Sequence, residues 1–131
     1  DVKIFGYTNQ IAALMAQASL LVTKPGALTC TEAAAVGVPS VFYSPIPGQE
    51  EANASYMQEK GCARWVKSQS RLVEAVSELL QHTERLGHMS QACRFCRRDG
   101  AEVVSRGVLQ MLEERKQKIY YPSGMTPESI S

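Results

Sequence analysis

At 131 residues, with 44% hydrophobic and 21% charged side chains, the chain is long enough for one domain with a proper core and has the makeup of an ordinary globular protein. A net charge of +1 excludes a general field for nucleic acid or anionic lipid. No apolar run approaches the ~20 residues of a membrane-spanning helix, no signal peptide is visible, and the chain starts at Asp1 without a methionine, which is the expectation for a fragment or a processed product.

In chain order, Val2 to Phe5 reads as a strand, with Gly6-Tyr7-Thr8 as a turn and Thr8 or Asn9 as the cap of the next helix. Ile11, Leu14, Met15 and Ala18 recur at helical spacing, which buries one face. Leu20 to Thr23 is a short apolar run suited to a buried parallel strand. Lys24-Pro25-Gly26-Ala27 breaks it, and a helix is predicted from about Leu28 to Val36, stopped by Gly37 and Pro39. A glycine turn feeding a helix leaves backbone N–H groups and the positive end of the helix dipole facing outward, which suits a phosphate. Val41 to Tyr43 is the next strand. Ser44-Pro45-Ile46-Pro47-Gly48 is a proline-stiffened loop, and a helix then runs from Gln49 to about Lys60, with Gly61 as its stop. Ala63 to Val66 is the fourth strand. Beyond it the period is helical only: Leu72, Val76, Leu79 and Leu80 mark one amphipathic helix, Leu86 to Cys96 a second, Val103 to Leu112 a third. The last dozen residues carry Pro, Gly and Ser without periodicity, so a domain over 1–118 is followed by a loose tail over 119–131.

Strands alternating with helices predict an α/β fold, a Rossmann-like parallel sheet with helices on both faces and a helical segment at the C-terminal end. Ligands in such sheets bind beyond the carboxyl ends of the strands, and three loops reach that edge: Gly6 to Asn9, Lys24 to Leu28, and Ser44 to Glu50.

Cys30, Cys62, Cys93 and Cys96 are the cysteines, and Cys93 and Cys96 form a CxxC pair with no second pair to complete a zinc site. Cys93 and Cys96 fall with Leu86 and Met89 at helical spacing, so a half-buried helix face is preferred to metal or redox chemistry; His82 and His88 lack helical ligand spacing to them. Free thiols suit a reducing cytoplasm.

The segments FGYTNQ, KPGALTCTEAAAVGVPSVFY and PIPGQEEANASYM together resemble the C-terminal, donor-binding domain of two-domain GT-B glycosyltransferases. They are most like the diacylglycerol glucosyltransferase and monogalactosyldiacylglycerol synthase group (glycosyltransferase family 28-like). The lipid II N-acetylglucosaminyltransferases are more distantly similar. The motifs span about Val2 to Val66, and a helical pattern continues to about Lys118. Against that family, the first βαβ part of the domain should precede Asp1, and the N-terminal domain expected to receive the acceptor and carry the catalytic base is absent, so the chain alone is expected to be inactive. Gly26-Ala27 stands where many relatives have paired glycines, and alanine still allows close approach.

The resemblance implies a hexosyltransferase that moves a hexose from a UDP-sugar to a lipid acceptor, diacylglycerol being the expectation. It implies neither metal nor cofactor, no nucleic acid, a cytoplasmic location and peripheral membrane contact through the missing part. Residue by residue, Tyr7 would lie at the uracil. Gly26, Ala27 and Leu28 would bring N–H groups to the diphosphate, with the Thr29 hydroxyl nearby. Glu32 would accept from the ribose diol. Gln49 and Glu50 would contact sugar hydroxyls, with Asn53 in support. Without the resemblance, Thr29-Cys30-Thr31-Glu32 reads as a capping box, Glu50 and Glu51 as solvated first-turn carboxylates, and Tyr7 as a surface aromatic. A stand-alone nucleotide-sugar-binding subunit that needs a separate acceptor-binding chain is the alternative from another class. A sugar-nucleotide epimerase lacks a matching carboxylate and histidine set.

Overall fold

The computed structural model describes residues 2–96 and 100–120. The chain divides into two units, Asp1–Arg97 and Arg98–Ser131. The first holds a parallel sheet of β1 (Leu21–Thr23), β2 (Ser40–Tyr43) and β3 (Ala63–Val66), in the order β1-β2-β3. Val22 stands opposite Val41 and Phe42 opposite Trp65, so both pairings are parallel and in register. Helices connect them: α1 (Ile11–Gln17) precedes β1, α2 (Ala27–Val36) joins β1 to β2, and α3 (Gln49–Glu59) joins β2 to β3. Then come α4 (Gln69–Gln81) and α5 (Thr83–Cys96).

The middle strand organises the core. Ser40, Val41 and Phe42 are wholly buried, as a parallel strand covered on both faces requires. Alternation sends Phe42 into a cluster with Cys30 and Ala34 of α2, Ala54 and Met57 of α3, Cys62, and Cys93 of α5. Val41 points the other way, to Ala75 and Leu79 of α4 and Leu86 of α5. Helices thus cover both faces of the sheet. Full burial of a side chain the size of Phe42 is worth roughly 1.5–3 kcal/mol, and the small alanines facing it let the helices approach. A smaller cluster of Met15, Ala33 and Val38 seats α1 on α2.

The expected strand at Val2 to Phe5 does not form. That stretch is unpaired, with Val2 and Ile4 exposed, and β1 has no ladder partner on its outer side among the described residues. A segment of strand composition becomes a strand only when its hydrogen bonds are taken by a neighbour, and this one is paired with none among the described residues. The cap of α1 also differs. Gln10 is the N-cap without a side-chain bond, while the Thr8 hydroxyl accepts from the Gln10 N–H at 3.1 Å.

The stops expected at Gly37 and Gly61 fall at the ends of α2 and α3, while α5 starts three residues before the expected Leu86. Gly37 closes α2 in the left-handed region (φ 78°), and its N–H bonds the Ala33 carbonyl at 2.9 Å. Ser68 caps α4 by accepting from the Arg71 N–H at 3.3 Å. Glu78 of α4 accepts from Arg64 of β3 at 2.5 Å and also pairs with Arg85 of α5. The Arg64 guanidinium first, then Arg85, holds the Glu78 carboxyl below the usual carboxylate range.

The second unit carries α6 (Gly100–Tyr120), which runs well past the expected Val103 to Leu112 at both ends. Its exposed surface includes Val104, Val108 and Met111 at helical spacing, and Glu102 pairs with Arg106 one turn on. Residues 119 and 120 of the expected tail belong to this helix; the rest of the tail, 121–131, lies outside the described residues. No helix among the described residues is long and apolar enough to cross a membrane.

Candidate functional site

Two neighbouring strands end side by side and feed two helices. Thr23 closes β1 and Tyr43 closes β2, and the loops that follow, 24–26 and 44–48, each deliver a helix start at the carboxyl edge of the sheet. Pro25 is fully buried and anchors the first loop. The two starts are braced to each other, because the Asn53 side-chain amide of α3 donates to the Pro25 carbonyl at 3.0 Å. Across the same gap, Glu50 Oε1 lies 4.0 Å from the position a Cβ on Gly26 would take, and Thr29 Oγ1 lies 3.9 Å from it.

Gly26 is the N-cap of α2, with φ −64° and ψ 147° and no side-chain cap. That backbone suits any residue, so the tight-turn role expected of this glycine is not what the chain uses it for; what it leaves is open backbone. The first bond into the helix is Cys30 N–H to the Gly26 carbonyl at 2.9 Å. The N–H groups of Ala27, Leu28 and Thr29 precede it and belong to the turn whose donors have no partner inside the helix. No acidic residue occupies this first turn, and Leu28 is 79% exposed. The start of α2 is thus a positive dipole end, uncapped and open.

This geometry also decides the capping-box reading. With Gly26 as the cap, Thr29 is the third helical residue and Glu32 the sixth, so their spacing does not form a box. Thr31 instead turns its hydroxyl back to the Ala27 carbonyl at 2.8 Å. Glu32 is exposed, one turn beyond Leu28 on the same helical face, and takes part in no hydrogen bond or ion pair among the described residues.

The start of α3 is built differently. Gly48 is its N-cap at φ 94° and ψ −106°, a region in which a side chain is strained, and Ser44 is left-handed at φ 51°. Two carboxylates of the first turn hold this loop. Glu50 accepts from the Ile46 N–H at 2.7 Å, and Glu51 from the Gly48 N–H at 3.2 Å. The second contact is the carboxylate half of a capping box, with a glycine that has no side chain to answer it. Its signal in the sequence is the Gly48-x-x-Glu51 spacing; the Glu50 contact carries no comparable pattern. Gln49 is exposed at the first helical position.

The candidates therefore separate. Gly26, Ala27, Leu28, Thr29, Glu50 and Asn53 are brought together, with Gln49 and Glu32 on the two helices just beyond. Tyr7 is fully exposed in the bend after Phe5 and forms no hydrogen bond to any of them among the described residues. Beneath the gap, Cys30 is buried, and burial first, the Glu50 carboxylate second, push its thiol up to about 11. Among the described residues no cluster of three or more His, Cys, Asp or Glu side chains is placed to hold a metal ion.

A parallel sheet with helices on both faces, presenting two glycine-led helix starts at its carboxyl edge, is the α/β architecture in which that edge is the usual ligand-binding position. Within it, residues 1–104 match the glycosyltransferase family 28 C-terminal domain, and the chain belongs to that family. It is 41% identical over 91 residues to a processive diacylglycerol beta-glucosyltransferase of Bacillus pumilus, covering 70% of this chain and 24% of that protein. It is 33% identical over 122 residues to the protein of the same description from Bacillus subtilis, covering 89% and 32%. Among solved structures, Acinetobacter baumannii MurG superposes with a TM-score of 0.62 at 25% identity, over 70% of this chain and 28% of that one. The glycotransferase of kitacinnamycin gives 0.54 at 28% identity, over 76% and 28%. The fold is therefore that of a GT-B C-terminal domain, and the chain spans about a quarter to a third of the length of the relatives named here.

Proposed function

We propose that this chain is the donor-binding part of a glycosyltransferase that moves a hexose from a UDP-sugar to a lipid acceptor, diacylglycerol in the first instance. The observation that carries the reading is the uncapped start of α2, braced against α3 by Asn53 and Pro25. A diphosphate brought there meets the N–H groups of Ala27 and Leu28 and the dipole end, with Thr29 at hand. These groups offset the charge that grows on departing UDP without calling on a metal ion. Glu32, one turn on and free of the capping box, is available to the ribose diol. Gln49 and the free oxygen of Glu50 face the sugar hydroxyls, and Tyr7 is available to the uracil from the exposed bend. The acceptor and the general base belong to a part of the enzyme beyond this chain, so the chain alone binds donor without turnover, and contact with the membrane lies in that part too.

The test is Glu32→Gln, read by calorimetric titration with UDP and with 2′-deoxy-UDP, in the presence of a chelator. A carboxylate accepting from the diol contributes roughly 1.5–3 kcal/mol per charge-assisted bond, so UDP affinity should fall by about tenfold or more. The variant should also be less sensitive than the parent to loss of the 2′-hydroxyl. Equal sensitivity in the two proteins removes Glu32 from the ribose, and loss of UDP binding on chelation removes the metal-free reading.

A further inference from the structure

At the opposite end of the sheet from the candidate donor site, the fold gathers cysteines that are far apart in sequence. Cys62 enters β3 straight after the turn at Gly61, and it is wholly buried. Cys96 is the last residue of α5 and is half-buried. Their sulfurs are 3.2 Å apart. That is closer than two unbonded sulfurs normally pack, and roughly 1 Å beyond the ~2.05 Å of a disulfide bond. Cys93 lies only three residues before Cys96 in sequence, but its thiol is already engaged. Its thiol is fully buried and points at the carbonyls of Val38 and Cys62, each at 3.6 Å.

We propose that Cys62 and Cys96 form an oxidation site, in which a peroxide converts the adjacent thiols into a disulfide that ties the α3–β3 turn to the end of α5. Access and adjacency divide the roles. Cys96, half-buried where Cys62 is wholly buried, meets the oxidant: its Sγ attacks one peroxide oxygen, the O–O bond breaks, and water leaves with the thiol proton, giving a sulfenic acid. Cys62 Sγ then attacks the Cys96 sulfur, the S–O bond breaks, and a second water carries away the Cys62 proton. The two sulfurs together lose two electrons and two protons, and the peroxide is reduced to water. Burial, together with the neighbouring thiols, pushes the Cys62 thiol up, so this second step gains speed as the pH rises. The site is independent of the donor reading, since no residue is shared with it.

Sequence makes the test clean. Arginines at 64, 85, 94 and 97 and lysine at 60 place Cys62, Cys93 and Cys96 on separate tryptic peptides, Gly61–Arg64, Leu86–Arg94 and Phe95–Arg97. The full chain is treated with hydrogen peroxide, blocked with an alkylating reagent, digested and mapped by mass spectrometry with and without dithiothreitol. The expected product is a reducible cross-link between Gly61–Arg64 and Phe95–Arg97, retained in Cys93→Ala, lost in Cys96→Ser, and formed faster at higher pH. A cross-link from Gly61–Arg64 to Leu86–Arg94 in the parent chain overturns the proposal. So does accumulation of Cys96 sulfinic acid while Cys62 still takes the alkylating reagent.

Discussion

The starts of α2 and α3 have the same plan and opposite electrostatics. Each follows a short parallel strand, passes a proline, and opens on a glycine N-cap. At α2 the first turn holds no carboxylate and the N–H groups stand open, whereas at α3 Glu50 and Glu51 turn back onto the Ile46 and Gly48 N–H groups. A helix end carries roughly half a positive charge whichever sequence makes it; the first-turn residues decide whether that charge is used internally or offered outward. The α2 start is thus suited to a ligand anion. The α3 start, already answered by its own carboxylates, is suited to neutral hydroxyl groups. On the donor reading, the same comparison puts the phosphates on one helix and the hexose on the other.

The largest effect should come from removing what holds the two starts together. Asn53→Ala leaves the Pro25 carbonyl without its donor, and a buried carbonyl stripped of its partner costs roughly 1–3 kcal/mol, to be seen as a lower midpoint in urea unfolding. Asn53→Asp keeps the shape but turns an acceptor toward an acceptor, so it should lose at least as much. An Asp variant as stable as the parent would show that the two starts are held apart and together by something else.

A smaller effect, with two opposite signs, sharpens the contrast itself. Leu28→Glu puts into the α2 start the kind of carboxylate that α3 already has, at a site 79% exposed and free of packing. The dipole offers the helix about 0.3–1 kcal/mol, reduced by roughly 0.2–0.5 kcal/mol of like-charge repulsion from Glu32 one turn on, so stability should rise slightly, while UDP affinity should fall by about two- to fivefold. Unfolding curves and titrations on one preparation measure both. Stability and affinity moving in the same direction would break the assignment of the anion to α2.

The smallest effect is a proton equilibrium between the two helices. The Cys30 thiol, held at about 11 by burial first and Glu50 second, should move down slightly in Glu50→Gln and stay above the ordinary thiol value, because burial is the larger cause. The pH dependence of alkylation reports it. The linkage has a definite sign. A thiol whose folded pKa lies above its unfolded one contributes fully below the unfolded value, and that contribution is lost as the pH rises toward about 11. Cys30→Ala should therefore flatten the alkaline decline in stability. An unchanged decline would place its origin elsewhere.

Much of this architecture is legible in local residue types. Gly37 and Gly61 punctuate the ends of α2 and α3, and the turn they make needs positive φ, which glycine adopts freely. Helical spacing of Leu72, Val76 and Leu79 announces α4, and the strand expected at Ala63 to Val66 coincides with β3. The failures have non-local causes. Val2 to Phe5 has strand composition, yet a strand exists only in a pair, and composition is silent about whether a partner is in reach. Thr29 and Glu32 have capping-box spacing, yet the helix starts three residues earlier because Pro25 packs into the core and Gly26 takes an extended backbone. The carboxylate of Glu50 looks like a solvated first-turn charge until the loop folds back to offer it the Ile46 N–H.

By itself the sequence determined the period of the elements, the stops between them and the polar loops at one edge of a parallel sheet, because those depend on residues within a few positions of each other. Only the tertiary structure decided which helix start stays uncapped, that Asn53 reaches across 28 positions to Pro25, and that Cys62 rather than Cys93 is the sulfur beside Cys96. The reason is the same in each case. Periodicity reports which face a side chain occupies, whereas a hydrogen bond or a sulfur contact requires two distant segments to be within about 3–4 Å, and that is set by how the helices pack on β2.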